Sequence, residues 1–176
     1  SDANITPYEY DIELAEKMLY QAGWKKGSDG IREKDGKKLS LNVPYISSKA
    51  TDKDLVEYFQ GEWKKIGIDV QLKAMEEDDY WENIKTGGFD LMLAFSWGAP
   101  WDPHAWMTAL TSPADHGHPE NVALEALPSK SEMDSIIKAT LIEPDEAKVD
   151  EGYKKVLTML HDEAIYIPIT YQSVVS

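Results

Sequence analysis

Leu55, Phe59 and Trp63 recur at every fourth position, the spacing of one helix face, and the run stops at Gly67. Immediately afterwards Ile68, Val70 and Leu72 alternate with Asp69, Gln71 and Lys73, the period of a half-buried strand. A helical period that becomes a strand period across one glycine restricts the chain to folds in which helices and strands alternate.

The rest of the chain keeps that rhythm. Asp11 is placed to cap a helix carrying Leu14, Ala15, Met18 and Leu19, which ends at Gly23. Asp35-Gly36 between two short polar arms predicts a hairpin, whose second arm runs on through Leu39, Leu41 and Val43. Thr51 or Asp52 opens the helix of Leu55. A short helix spans Asp78–Thr86 before Gly87-Gly88, and the acids Glu76 to Asp79 cap its start. Phe89–Phe95 predicts a buried strand, Thr111–Pro128 a long polar loop, and Ser131–Leu141 a helix. Another helix runs from Asp145 to about Glu163, with Val149, Tyr153, Val156, Leu157 and Leu160 inward, and Ile165–Val175 is the last strand. The expected fold class is α/β, one domain over residues 1–176 with a mixed sheet flanked by helices. Ser1-Asp2-Ala3 reads as a cloning remnant, and the stop after Val174-Val175 as the edge of an excised piece.

Composition narrows the function. The net charge of −14 argues against nucleic acid, whose phosphates need a basic face, and against docking on anionic lipid. There is no cysteine, so disulfides, thiolate metal sites and cysteine nucleophiles are excluded. No run reaches the apolar length of a membrane-spanning helix. The chain carries no phosphate-binding glycine loop, no nucleophile elbow and no helical His-Glu-x-x-His pair, and nothing in it supports an enzyme.

The stretch Phe95-Ser96-Trp97-Gly98-Ala99-Pro100-Trp101-Asp102-Pro103-His104 carries the most functional information. It joins the predicted strand to a helix that Asp102 caps and Pro103 opens. Two indoles held by two prolines at a strand end either present aromatic surface to a ligand or pack the domain. His104 sits in the first helical turn, where it bonds locally or points toward that region. His161 closes a helix, where a cation suits the dipole. Asp115, His116 and His118 share the long loop, and imidazoles suit nickel, copper or zinc; two of them on a loop need further ligands for a tight site. Arg32 is the sole arginine, so no arginine cluster clamps an anion here.

Several segments together resemble the C-terminal lobe of the peptide and nickel family of ABC-transporter solute-binding proteins. They are Tyr10–Leu19 with Ala22-Gly23-Trp24, Asp29–Arg32, Glu62–Val70, Gly88–Leu91 and, most specifically, Ser96–His104. The helix after Trp97-Gly98-Ala99-Pro100 and the run Leu160–Ile169 are similar to the nickel-binding branch. The resemblance implies one lobe of a two-lobed extracytoplasmic protein, in the periplasm or as a cell-surface lipoprotein. It implies no intrinsic cofactor; a nickel chelate is captured between this lobe and a missing N-terminal lobe and passed to an ABC permease. It gives Trp97, Trp101 and His104 the ligand-binding role and His116, or else His118, a metal contact, with Asp115 competing for that position. Trp101 stands where a tyrosine is common, so the ligand preference departs from the pattern. The alternative within the family is an oligopeptide- or dipeptide-binding protein.

Overall fold

The computed structural model describes residues 5–94, 103–112 and 121–169, and they divide into two compact units. The first spans Tyr8–Ser96; the second takes in the chain from Trp97 onward with the first seven residues.

In the first unit α1 (Ile12–Gln21) is capped as expected: the Asp11 carboxylate accepts from the Leu14 N–H at 2.8 Å. A small antiparallel sheet follows, made of β1 (Lys25–Lys26), β2 (Arg32–Lys34) and β3 (Lys37–Lys38) in that order. Asp35 and Gly36 both take positive φ, 53° and 75°, as a tight primed turn between right-twisted strands requires. Next, β4 (Ser40–Ile46), α2 (Ala50–Lys65) and β5 (Asp69–Met75) form a βαβ unit, the strands parallel and in register from Ser40↔Asp69 to Ile46↔Met75. Strand alternation sorts the apolar side chains into two clusters. Val43, Tyr45, Ile68, Val70 and Leu72 pack with Val56 and Trp63 of α2, whereas Ile46 and Met75 pack with Tyr80 and Ile84 of α3 (Glu77–Lys85).

Gly67, at the end of α2, has φ +86°, and a Cβ there would lie 2.8 Å from the Gly30 carbonyl oxygen. That close approach brings the hairpin against α2, where buried Arg32 acts as a tie. Its Nε donates to the Ile66 carbonyl at 2.7 Å and its Nη1 to the Trp24 carbonyl at 2.9 Å, and Nη2 reaches Glu16 at 3.4 Å.

The second unit holds α4 (Pro103–Thr111), α5 (Val122–Glu125), α6 (Lys130–Leu141) and α7 (Glu146–Asp162). Met107 and Leu110, Leu124, Met133 and Ile137, and Tyr153, Val156 and Leu160 form its core, each pair or triple at helical spacing. The Asp145 carboxylate caps α7, accepting from Ala147 N–H at 3.0 Å.

The structure corrects several expectations. The parallel and antiparallel pairings lie in two separate sheets among the described residues. α2 starts at Ala50, and neither Thr51 nor Asp52 caps it; Asp52 is buried in the first turn. Glu76 makes no capping bond to α3; its carboxylate accepts from the Ser47 hydroxyl at 3.0 Å, while Glu77, Asp78 and Asp79 favour the helix dipole from the first turn. The Thr111–Pro128 loop contains α5, anchored by buried Leu124. Residues 165–169 form no strand: Ala164 leaves α7 at φ 51°, and Pro168 has no N–H for a ladder.

Residues 89–94 also form no strand, although their side chains behave as one. Leu91 and Leu93 join the α2 cluster, and Met92 joins the α3 cluster. The backbone bonds gather at a single residue instead. Asp90 and Leu91 N–H both donate to the Asn42 carbonyl, at 2.9 and 3.3 Å, and the Asp90 carboxylate takes the Asn42 N–H at 2.7 Å. A side chain thus replaces a ladder bond, and pairing stops there.

Candidate functional site

The tryptophan loop and the histidine loop, residues 95–102 and 113–120, lie outside the described residues. Trp97, Trp101, Asp102, Asp115, His116 and His118 are therefore not placed; the structure shows the supports on which both loops stand.

Upstream of the tryptophan loop, the run through Leu93 is held by Tyr80. Its hydroxyl donates to the Leu93 carbonyl at 3.1 Å, from a ring that is almost fully buried. Burial pushes the Tyr80 phenol up to about 12, and the Asp52 carboxylate adds to the effect. The hydroxyl therefore stays protonated, and a donor, throughout the neutral range.

Downstream, α4 begins at Pro103, as the loop pattern predicted. His104 lies in its first turn, exposed, with its Nδ1 hydrogen-bonded to the hydroxyl of Tyr153 on α7. The two rings meet edge to face, centroids 5.6 Å apart at 77°. Tyr153 thereby fixes the orientation of the one predicted ligand-binding residue that is described. The Thr108 hydroxyl donates back to the His104 carbonyl at 2.8 Å, tightening the same turn.

The histidine loop is closed at its base by Asn121. Its side-chain amide donates to the Ala109 carbonyl at 2.7 Å and to the Ser112 carbonyl at 2.9 Å. Asn121 is buried, and its amide adds a second donor to the Ala109 carbonyl, which also takes the Ser112 N–H at 3.1 Å, and a donor to the Ser112 carbonyl just past α4. One residue on either side of 113–120 is thus held to the other. The sequence reading missed Tyr80 and Asn121, and it placed Tyr153 inward without its bond to His104. For Asn121 the available signal was a lone amide beside Val122 at the end of a polar loop, which is weak.

His161 lies in the last turn of α7, as expected, with Nδ1 3.2 Å from the Asp162 carboxylate. Among the described residues no group of three or more His, Asp or Glu is arranged to hold a metal ion. Among them, also, no helix is long and apolar enough to cross a membrane.

The sequence pattern of the middle region of the bacterial extracellular solute-binding proteins, family 5, matches residues 1–118, and the chain belongs to that family. Within it, the chain is 35% identical over 175 residues to the nickel-binding periplasmic protein of Escherichia coli K12, covering 98% of this chain and 33% of that protein. Its fold matches the crystal structure of NikA from Brucella suis in complex with Fe(III)-EDTA, with a TM-score of 0.84 and 38% identity over 93% of this chain and 32% of that one. A dipeptide-binding protein of Pseudomonas aeruginosa is 27% identical over 174 residues, 98% of this chain and 30% of that protein. The chain thus spans about a third of the length of the relatives it matches.

Proposed function

We propose that this chain is one lobe of an extracytoplasmic solute-binding protein that captures nickel as a small-molecule chelate and hands it to an ABC permease. The observation that carries the reading is the similarity to a nickel-binding periplasmic protein, 35% identity over 98% of the chain, against 27% over the same share for a dipeptide-binding one. The Fe(III)-EDTA in the Brucella suis relative is a chelated metal of the same kind.

In this reading the ligand lies in a cleft completed by a second lobe. Trp97 and Trp101 stack on the chelator, and His104, oriented by Tyr153, borders it. His116, or failing it His118, supplies one imidazole to the metal from the loop whose base Asn121 closes. Metal and chelator are cargo, and the role is binding rather than catalysis.

The test is calorimetry of the full-length protein with nickel alone, nickel plus free histidine, and a dipeptide library. Binding that needs both nickel and a chelator supports the reading. Binding of dipeptides without any response to the nickel chelate overturns it in favour of peptide transport.

A further inference from the structure

His104 and Tyr153 stand on helices that share one core. Met107 and Leu110 of α4 pack with Tyr153, Val156 and Leu160 of α7. Tyr153 is 9% exposed, and its neighbour Gly152 lies hard against Thr140 of α6. The Tyr153 ring therefore has little room to turn, and a locked phenol meets His104 through Nδ1. The Thr108 hydroxyl ties the His104 carbonyl, so backbone and ring are both held.

That contact decides what the far nitrogen of the imidazole can do. A neutral imidazole has one N–H and one bare nitrogen. The bare nitrogen is a stronger acceptor than a phenol oxygen, whose lone pair is shared with its ring, and a phenol O–H is a good donor. The favoured pairing puts the Tyr153 proton toward Nδ1 and the ring proton on Nε2. Nε2 then carries no lone pair for a metal. It offers an N–H on the edge of the ring away from Tyr153, and His104 is exposed. An N–H there suits an oxygen acceptor, best an anionic one.

We propose that Tyr153 holds His104 as a hydrogen-bond donor to a carboxylate oxygen of the chelator, so that His104 selects the chelator and does not touch the metal. Tyr153 is then a positioning residue and His104 a specificity-determining one. The inference rests on the chelate-binding function proposed above and deepens it: the cargo is a nickel complex of a carboxylate-bearing chelator, such as an amino acid.

Two measurements on the full-length protein test it. Nitrogen-15 spectra of the ligand-free, histidine-labelled protein, recorded at about pH 8, above the ordinary imidazole range near 6.5, read the tautomer. The His104 signals are assigned by their loss in His104→Gln. The proton is expected on Nε2, and Tyr153→Phe should release Nδ1 and mix the tautomers. A proton on Nδ1 shows Tyr153 accepting instead and overturns the inference. Calorimetry then compares nickel with free histidine and nickel with histamine, which keeps the amine and the imidazole and lacks the carboxylate. The protein should prefer the histidine chelate by about tenfold or more, as a bond to a charged acceptor is worth. His104→Leu should abolish the preference, Tyr153→Phe should reduce it, and His104→Gln, whose amide N–H reaches the Nε2 position, should keep most of it. No preference, or one unchanged in His104→Leu, overturns the inference. If neither nickel chelate binds, the functional reading fails, while the nitrogen spectrum still decides the tautomer.

Discussion

Gly152 of α7 lies so close to Thr140 of α6 that a Cβ on the glycine would meet the threonine Oγ1 at 2.0 Å and its Cγ2 at 2.8 Å. Thr140 is buried and its hydroxyl is turned back to the Ile136 carbonyl at 2.8 Å. The absent side chain is what lets the two helices approach and close the core of Met133, Ile137, Tyr153 and Val156.

Gly152→Ala should therefore destabilise the protein despite the better helix propensity of alanine. Overpacking of this kind costs about 1–3 kcal/mol, against under 1 kcal/mol gained from propensity. Adding Thr140→Ala removes the two closest clashes and should recover part of the loss. Denaturant unfolding of both variants checks the order.

Arg32→Lys should be nearly as damaging as Arg32→Ala. The guanidinium serves Ile66, Trp24 and Glu16 from one rigid fork, and an ammonium cannot reach all of them. A buried carbonyl left without its donor costs roughly 1–3 kcal/mol, and these two half-buried ones fall toward the lower end. An equal Tm for Arg32→Lys and the parent protein would remove Arg32 from its tying role.

Tyr80 makes stability sensitive to alkali. Its folded pKa is raised from 10.0 to about 12 by burial and by Asp52. A raised folded pKa gives stability that is fully present below the unfolded value and lost as pH rises toward the folded one. Unfolding midpoints should fall between pH 10 and 12, and Tyr80→Phe should flatten that slope while losing the bond to Leu93. An unchanged slope in Tyr80→Phe contradicts the assignment.

Acid acts through exposed carboxylates. The Lys26 ammonium holds Glu16 below the ordinary 4.5, and Lys38, with the Ile31 N–H, holds Asp29 below 3.8. Lowered folded values give stability present above the unfolded pKa and lost as pH falls through the folded one. Thermal unfolding should therefore move to lower temperature below about pH 4, and salt should shrink the effect because these pairs are exposed.

The proposed ligand-binding residues should separate by role. In the full-length protein Trp97→Ala should weaken chelate binding by about tenfold or more, since an indole face is worth on the order of 1 kcal/mol beyond its buried area. If His116 holds the metal, His116→Ala weakens binding and His118→Ala does not, and affinity falls as pH drops below about 6.5. Equal affinity in both histidine variants would leave the metal held through its chelator alone.

Local signals in the chain determined every helix of the described residues except α5, and also the Asp11 cap, the start of α7 at Asp145, the Asp35-Gly36 turn and the Gly67 stop, because each depends on residues a few positions apart; the exact start of α2 was not among them. They also determined the start of α4 at Pro103. Only the tertiary structure decided what is satisfied at a distance. The Asp90 carboxylate claims the Asn42 N–H 48 residues away and ends a strand that the apolar run Phe89–Phe95 predicted. Asn121 closes a loop, Tyr153 orients His104 from 49 residues away, and Gly152 exists for Thr140. A hydrogen bond or a close approach between distant segments leaves no periodic trace, because it selects one residue on each side rather than a repeating face.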